Sequence, residues 1–172
     1  PQTAENVAEQ FNVNRADQDQ FALVSQQRTA SAQAKGFFSK EIVAVEIPQR
    51  KGDAVVIDTD EHPRVSTTLE GLSKLKPVVK ADGTVTAGNA SGINDGAAAL
   101  LIASDEAVQA YNLKPRAKII ASTAVGVEPR IMGFAPAPAI KKLLKQANLT
   151  LEQMDVIELN EAFAAQALAV TR

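Results

Sequence analysis

An asparagine and a glutamate, Asn160 and Glu161, stand where an apolar run meets an alanine-rich run. Residues 155–159 are typical of a buried strand, and residues 162–170 contain good helix formers. An asparagine at such a joint serves well as a helix N-cap, because its side-chain oxygen accepts from a free backbone N–H. In an α/β sheet, the same position faces the crevice where ligands bind. The local sequence therefore leaves two interpretations of Asn160 open, a helix cap and a ligand-facing amide.

A glycine-rich stretch between residues 81 and 96 is the second candidate. Glycine at positions 83, 88, 92 and 96 predicts a loop whose backbone can approach another group closely. The spacing matches neither the dinucleotide-binding fingerprint nor the Gly-Lys of a P-loop, so the pattern alone is weak evidence for phosphate binding. The small apolar residues 97–103 that follow predict a buried strand.

Other reactive side chains are few. The chain contains no cysteine, which excludes disulfides, thiolate metal sites and a thiol nucleophile among these residues. The acidic cluster before His62 lacks a metal-ligand spacing, and we expect no metal site there. Arg64 follows Pro63, which favours extended backbone. Its guanidinium group is suited to a carboxylate or a phosphate, but solvent exposure is equally open.

Composition bounds the class of protein. The 172 residues are 45% hydrophobic and carry a formal net charge of −2, so nothing indicates binding to nucleic acid or to an anionic membrane surface. No apolar run approaches the roughly 18 residues of a membrane-spanning helix, and the first residues lack the features of a signal peptide. We therefore expect a soluble cytoplasmic protein made of one domain or of pieces of two.

Several helices and strands are predicted from periodicity and capping residues. From residue 116 onward the order is strand, helix, strand, helix, which is half of an α/β unit and too small a sheet for a finished domain. The predicted elements are a helix capped by Thr3, a helix from Asn14 to Lys35 ended by Gly36, strands 41–47 and 54–57 as a hairpin, a short helix capped by Thr67 or Thr68, a helix capped by Asp105, strand 116–125, a stiff turn 133–138, and an amphipathic helix 139–147.

Four motifs together resemble the middle of a thiolase. They occur in the family's order and extend over essentially the whole chain, so the resemblance implies an α/β thiolase fold that is incomplete. It also implies a loop domain at 1–93, the last strand and helix of the N-terminal half at 94–114, and the first part of the C-terminal half at 115–172. The motifs are T-A-E-N-V-A at 3–8, T-A-G-N-A-S-G-I-N-D-G-A-A-A at 86–99, G-V-E-P-R-I-M-G at 126–133, and N-E-A-F-A at 160–164.

Within the family, D-E-H-P-R at 60–64, T-T-L-E at 67–70 and D-V-I-E-L-N-E-A-F-A-A-Q at 155–166 look most like the thiolases that cleave 3-oxoadipyl-CoA in aromatic-compound degradation, the β-ketoadipate pathway. Acetoacetyl-CoA thiolases are the neighbouring alternative. The resemblance implies acyl transfer between coenzyme A thioesters. A cysteine thiolate accepts the acyl group, and a second cysteine with a histidine handles the proton. Coenzyme A is then a substrate rather than a permanently bound cofactor, and the intact enzyme is expected to be a homotetramer.

The resemblance also implies roles for individual residues. Asn160 matches the asparagine that holds a water beside the thioester oxygen, where negative charge develops. Val79 departs from the aromatic residue that some relatives carry beside the nucleotide. The remaining matches are Ser91 for a hydrogen bond to the pantetheine arm, Ala87 and Leu75 for the pantetheine tunnel, Arg64 for the nucleotide end, and Met132 and Phe163 for apolar walls around the acyl group.

The catalytic cysteines and the catalytic histidine of the family have no counterpart here, since the chain has no cysteine and its single histidine, His62, lies in another motif. We therefore interpret the chain as an internal fragment that is inactive by itself. Two non-catalytic alternatives remain, a CoA-binding module based on Ser91 and Arg64, and an oligomerisation module based on the 41–57 arm.

Overall fold

The computed structural model describes residues 1–172, with six α-helices, three short 3₁₀ segments and one two-stranded antiparallel sheet. The helices are α1 Gln2–Gln10, α2 Arg15–Ala34, α3 Leu69–Ser73, α4 Asp105–Ala110, α5 Pro136–Ala147 and α6 Ala164–Thr171; the strands are β1 Val45–Ile47 and β2 Val55–Ile57; the 3₁₀ segments are Phe38–Lys40, Pro129–Phe134 and Leu151–Gln153.

The core lies where α1, α6 and the 129–134 segment meet. Val7, Ala8 and Val13 from the first part of the chain are buried against Ala165 and Ala169 of α6. Alanine on α6 allows α1 to approach closely, and burying the apolar side chains supplies most of the stabilisation. Aromatic stacking extends this contact at its edge, where the rings of Phe11 and Phe134 have centroids 4.1 Å apart.

The long helix α2 begins and ends as its sequence predicts. The Asn14 side-chain oxygen accepts from the backbone N–H of Asp17 at 2.8 Å, which satisfies a free donor of the first turn. Gly36, with φ of +70°, follows the helix end in a backbone region that disfavours other side chains. The predicted hairpin is confirmed in a shorter form by β1 and β2, and Thr68 caps α3 as predicted.

The Asn14 cap gives a direct test of how α2 is stabilised. Replacing Asn14 by alanine removes the acceptor, and we expect the free energy of unfolding to fall by about 1 kcal/mol. Asn14→Ser is the matched control, because a serine hydroxyl can accept from the same N–H. Urea denaturation of the three proteins measures the difference. Equal midpoints for the alanine variant and the parent would show that the cap contributes nothing.

Three predicted helix starts are wrong by a few residues. Helix α1 begins at Gln2, and the Thr3 hydroxyl accepts from Gly133 N–H at 3.5 Å instead of capping. Helix α4 is capped by Ser104 rather than Asp105, through a 3.2 Å bond from Ala107 N–H. Residues 136–138 of the predicted turn belong to α5, since proline is well suited to a first helical turn.

Hydrogen bonds at the start of α4 change the pKa of an exposed carboxyl group, that of Glu106. In α4, the backbone N–H of Glu106 and then the side chain of Ser104 stabilise the ionised form and lower the pKa of Glu106. The group contributes stability above its unfolded-state pKa, and this contribution is lost as the pH falls through the lowered value.

The predicted strands 97–103, 116–125 and 155–159 do not form strands in the structure. None of them pairs with another segment, and their apolar side chains are largely exposed: 86% for Leu100, 70% for Ile120 and 76% for Val156. An apolar run becomes a buried strand only where a neighbouring strand bonds to its backbone and another layer covers its side chains. No other segment of this chain provides the neighbouring strand or the covering layer.

None of the helices is both long enough and apolar enough to cross a membrane. No group of three or more acidic, histidine or cysteine side chains is arranged to hold a metal ion, and this includes the acidic residues around His62.

Candidate functional site

A cleft of about 210 Å³ lies between α2, the His62–Pro63 turn, the glycine loop and the start of α6, and we refer to it as the site cleft. Polar groups are abundant in its lining. Its lining includes Ser25, Gln26 and Thr29 of α2, and Glu161 three residues before α6. The glycine loop contributes residues 88–92 and Asn94.

Backbone hydrogen bonds join the glycine loop to the start of α6. Ser91 N–H donates to the carbonyl of Ala162 at 3.0 Å, and Ala164 N–H donates to the carbonyl of Asn89 at 2.9 Å. Between them, Ala90 and Phe163 form an isolated antiparallel bridge. Segments that are more than 70 positions apart in sequence are therefore held side by side as if they were two strands.

Asn160 is not the cap of α6, so that interpretation of the sequence is wrong. Helix α6 begins at Ala164, with Phe163 in the cap position and without a side-chain cap. Asn160 is exposed, and its amide makes no hydrogen bond within the chain. Its neighbour Glu161 lines the site cleft and accepts from the Ser25 hydroxyl at 2.5 Å. The amide of Asn160 is thus left free beside a segment that is anchored to α2.

Ser91 lies on the site cleft and is exposed; its backbone N–H is bonded, whereas its hydroxyl makes no hydrogen bond within the chain. Leu75 packs against Gly88 of the glycine loop, and Ala87 is the residue before that glycine. A Cβ at Gly88 would lie 2.5 Å from Leu72 Cδ2 and 2.6 Å from Leu75 Cδ1, so only glycine allows this approach. Ser91 and Ala87 therefore lie on the glycine loop, and Leu75 contacts that loop at Gly88.

Of the seven candidate residues, only Ser91 lines the site cleft; the other six do not, namely Asn160, Arg64, Ala87, Leu75, Met132 and Phe163. Arg64 is exposed, and only its backbone is fixed, with its N–H donating to Gln26 Oε1 at 2.8 Å. Met132 is 62% exposed on the 129–134 segment, whose Gly133 packs against Gln166. The Arg64 guanidinium group makes no hydrogen bond or ion pair within the chain.

Sequence reasoning missed the buried polar residues that support the glycine loop. Glu5, Asp19 and Asn89 are each at most 4% exposed, and each bonds to another segment. The i, i+4 spacing of Arg15 and Asp19 is the one signal that was visible, since it predicts a helical ion pair. Nothing in the sequence shows that this pair reaches the glycine loop.

The chemistry available in the site cleft is hydrogen bonding rather than nucleophilic attack. Its groups are hydroxyls, amides, the Glu161 carboxylate and the imidazole of His62, which packs against Gly92. Without a thiol, the cleft can bind and orient a polar ligand, but the acyl-accepting group of a thioester exchange has to come from elsewhere.

The fold and these motifs define a class of protein. The model of the thiolase N-terminal domain matches residues 2–106, and the model of the thiolase C-terminal domain matches residues 113–172. The chain belongs to the thiolase family, which confirms the family and the α/β fold expected from the four motifs.

Individual members of the family differ in how similar they are to this chain. A β-ketoadipyl-CoA thiolase of Acinetobacter baylyi is 84% identical over the whole chain. A 3-oxoadipyl-CoA/3-oxo-5,6-dehydrosuberyl-CoA thiolase of Escherichia coli is 57% identical over the same length. In both cases the chain spans 43% of the length of the relative.

Solved thiolase structures superimpose on almost the whole of this chain. The acetyl-CoA acetyltransferase of Bacillus anthracis superimposes with a TM-score of 0.93 and 47% identity, over 98% of this chain and 43% of that one. Human mitochondrial 3-ketoacyl-CoA thiolase in complex with CoA gives a TM-score of 0.90 and 48% identity, over 98% of this chain and 42% of that one. The arrangement of the segments without paired strands is therefore the one found in complete thiolases.

Proposed function

We propose that this chain is the middle of a thiolase whose full-length form cleaves 3-oxoadipyl-CoA with free CoA into succinyl-CoA and acetyl-CoA. One observation carries the proposal: backbone bonds join the Ser91 loop to residues 162–164, directly after Asn160 and Glu161, and Ser91 and Glu161 line the same cleft. The names of the relatives support the 3-oxoadipyl group as substrate, because identity to β-ketoadipyl-CoA thiolases reaches 84% and identity to the acetyltransferase structure is 47%.

In this proposal the chain binds and orients, and the remainder of the protein supplies the nucleophile. A cysteine thiolate attacks the 3-oxo carbon, the bond between carbons 2 and 3 breaks, and the departing acetyl-CoA carbanion takes a proton from a second cysteine. The CoA thiol then gives its proton to the thiolate of that second cysteine and attacks the acyl-enzyme thioester, which releases succinyl-CoA and the nucleophilic cysteine as its thiolate. Asn160 holds the water that donates to the thioester oxygen as negative charge develops.

Other residues of the chain hold the substrate. The exposed Ser91 hydroxyl donates to the pantetheine arm, with Leu75 and Ala87 as apolar walls on its path. Arg64 pairs with the phosphates at the nucleotide end, which suits an extended and solvent-accessible guanidinium. Phe163 and Met132 line the acyl group.

We also propose the domain division 1–93, 94–114 and 115–172, a cytoplasmic location and a homotetrameric assembly. The hairpin β1–β2 supports assembly, since Val45, Val56 and neighbouring apolar side chains are about half exposed on it. A two-stranded hairpin alone is marginally stable in water, so a covering partner would stabilise it.

The test compares the full-length protein with the chain alone. We expect the full-length protein to convert 3-oxoadipyl-CoA and CoA into two new thioesters, detected by chromatography, with a higher kcat/KM than for acetoacetyl-CoA. The 172-residue chain should give no turnover above buffer, because it contains no cysteine. Failure of the full-length protein to cleave either substrate would refute the function. Turnover by the chain alone would refute the assignment of the nucleophile.

A further inference from the structure

A buried polar chain runs from α2 through the glycine loop to α6. Asp19, 2% exposed, accepts from Arg15 Nε at 2.7 Å through one oxygen and from Asn89 Nδ2 at 3.0 Å through the other. Arg15 also donates to the carbonyls of Leu72 and Leu75, at 2.7 and 3.0 Å. One ion pair is thus bonded to the end of α3 and to the glycine loop.

The Asn89 side chain is fully engaged. Besides Asp19, its Nδ2 donates to the carbonyl of Thr84 at 3.0 Å, and its Oδ1 accepts from Thr86 N–H at 2.8 Å. Its own backbone carbonyl accepts from Ala164 N–H at 2.9 Å. Because an amide has two donors and one carbonyl acceptor, this set fixes its orientation.

The contacts extend to three of the proposed binding residues, Leu75, Ser91 and Phe163. Leu75 is held by Arg15, Ser91 follows Asn89 by two residues, and Phe163 bridges the residue between them. Gly88 touches Leu72 and Leu75, so a shift of the loop moves the pantetheine wall as well. A group that fixes Asn89 therefore sets the spacing between Ser91 and the Asn160 segment.

From this geometry we infer that Arg15, Asp19 and Asn89 form a positioning relay. Together they set the distance between the glycine loop, which carries Ser91, and the segment from Asn160 to Phe163. The inference rests on the proposed function for its consequence in catalysis. None of the three residues touches the reacting atoms; they act through Ser91 and the start of α6. Positions displaced by about 1 Å can lower a rate about 100-fold, so a loosened relay affects both binding and turnover.

The sharpest variant is Asp19→Asn, which keeps the shape of the side chain. An asparagine at position 19 has one oxygen and one N–H₂ group, so in either orientation it faces a donor of Arg15 or of Asn89 with another donor. Asn89→Ala removes the three side-chain bonds outright. The double variant Asp19→Asn with Asn89→Ala should be no worse than the poorer single variant, because members of one network are not additive.

In the full-length protein, with rates per titrated active cysteine, we expect each single variant to raise the KM for CoA about 10-fold and to lower kcat about 10-fold. A purely structural role would reduce the titrated fraction and leave both constants unchanged. Ser104→Ala, which removes the α4 cap outside the relay, is the control for lost stability alone. Additive effects in the double variant, or unchanged constants, would overturn the relay.

Amide hydrogen exchange tests the relay without activity. In Asn89→Ala we expect the Ser91 and Ala164 amides to exchange at least about 10-fold faster, because their bonds depend on the loop position. The Val85 amide is held by Glu5 and should keep its rate. Equal rates at all three amides in variant and parent would refute the relay even if the full-length protein proved inactive as a thiolase, and loss of thiolysis in the parent alone would refute only the proposed function.

Discussion

Asn160→Ala in the full-length protein is expected to lower kcat about 100- to 1,000-fold, the typical effect of removing one donor that stabilises a developing oxyanion. The interaction forms only as charge develops on the thioester oxygen, so kcat and kcat/KM should fall together. The KM for CoA should stay near the parent value, because Asn160 is not among the residues proposed to hold the pantetheine arm. Steady-state kinetics with 3-oxoadipyl-CoA and CoA measures both.

The exposed position of Asn160 separates an effect of this variant on catalysis from an effect on stability. Asn160 is exposed, makes no hydrogen bond within the chain and does not cap α6, so its removal should change the free energy of unfolding by less than about 0.5 kcal/mol. Ser104→Ala gives the opposite control, with about 1 kcal/mol of lost stability and an unchanged kcat. An Asn160→Ala protein with parental kcat would show that the amide has no catalytic role.

The sequence correctly predicted those features of the fold that depend on a single side chain and its near neighbours in the chain. Asn14, Gly36 and Thr68 act as predicted, because caps and positive-φ positions depend on a few neighbouring residues. Strand 97–103 failed because an apolar run predicts burial, whereas burial requires a covering layer. Asn160 failed as a cap for a related reason: Phe163 bridges the glycine loop and delays the helix start.

The site shows the same difference between local features and long-range contacts. Ser91 and Phe163, which the family motifs single out, lie on two segments joined by backbone bonds. The bond between Asp19 and Asn89, 70 positions apart in sequence, has no local signature. Buried polar residues such as these satisfy long-range partners that only the folded chain defines. Glu5 is the clearest case, because a glutamate is rarely buried and only the folded chain supplies its partners.

Glu5→Ala is expected to lower the free energy of unfolding by about 3–5 kcal/mol, because hydrogen bonds to a charged group contribute about 1.5–3 kcal/mol each and their loss leaves buried donors unpaired. Glu5 is 3% exposed and joins α1 to the glycine loop across almost 80 positions. Its carboxylate accepts from Thr84 N–H at 2.8 and 3.1 Å, from Thr84 Oγ1 at 3.1 Å and from Val85 N–H at 2.8 Å. The alanine variant cannot recover these bonds by rearrangement, since Val85 is fully buried.

Urea denaturation measures the shift in midpoint, and Glu5→Gln is the matched control. Glutamine keeps the length of the side chain and one acceptor oxygen for the two backbone N–H groups, but places an N–H₂ group against Thr84. It should therefore lose less stability than alanine, about 1–3 kcal/mol for one unsatisfied donor. Exposed Glu9 on the same helix serves as the neutral position, with Glu9→Ala expected within about 0.5 kcal/mol of the parent. If Glu5→Ala and Glu9→Ala gave the same midpoint, the carboxylate would not be the group that fastens the glycine loop to α1.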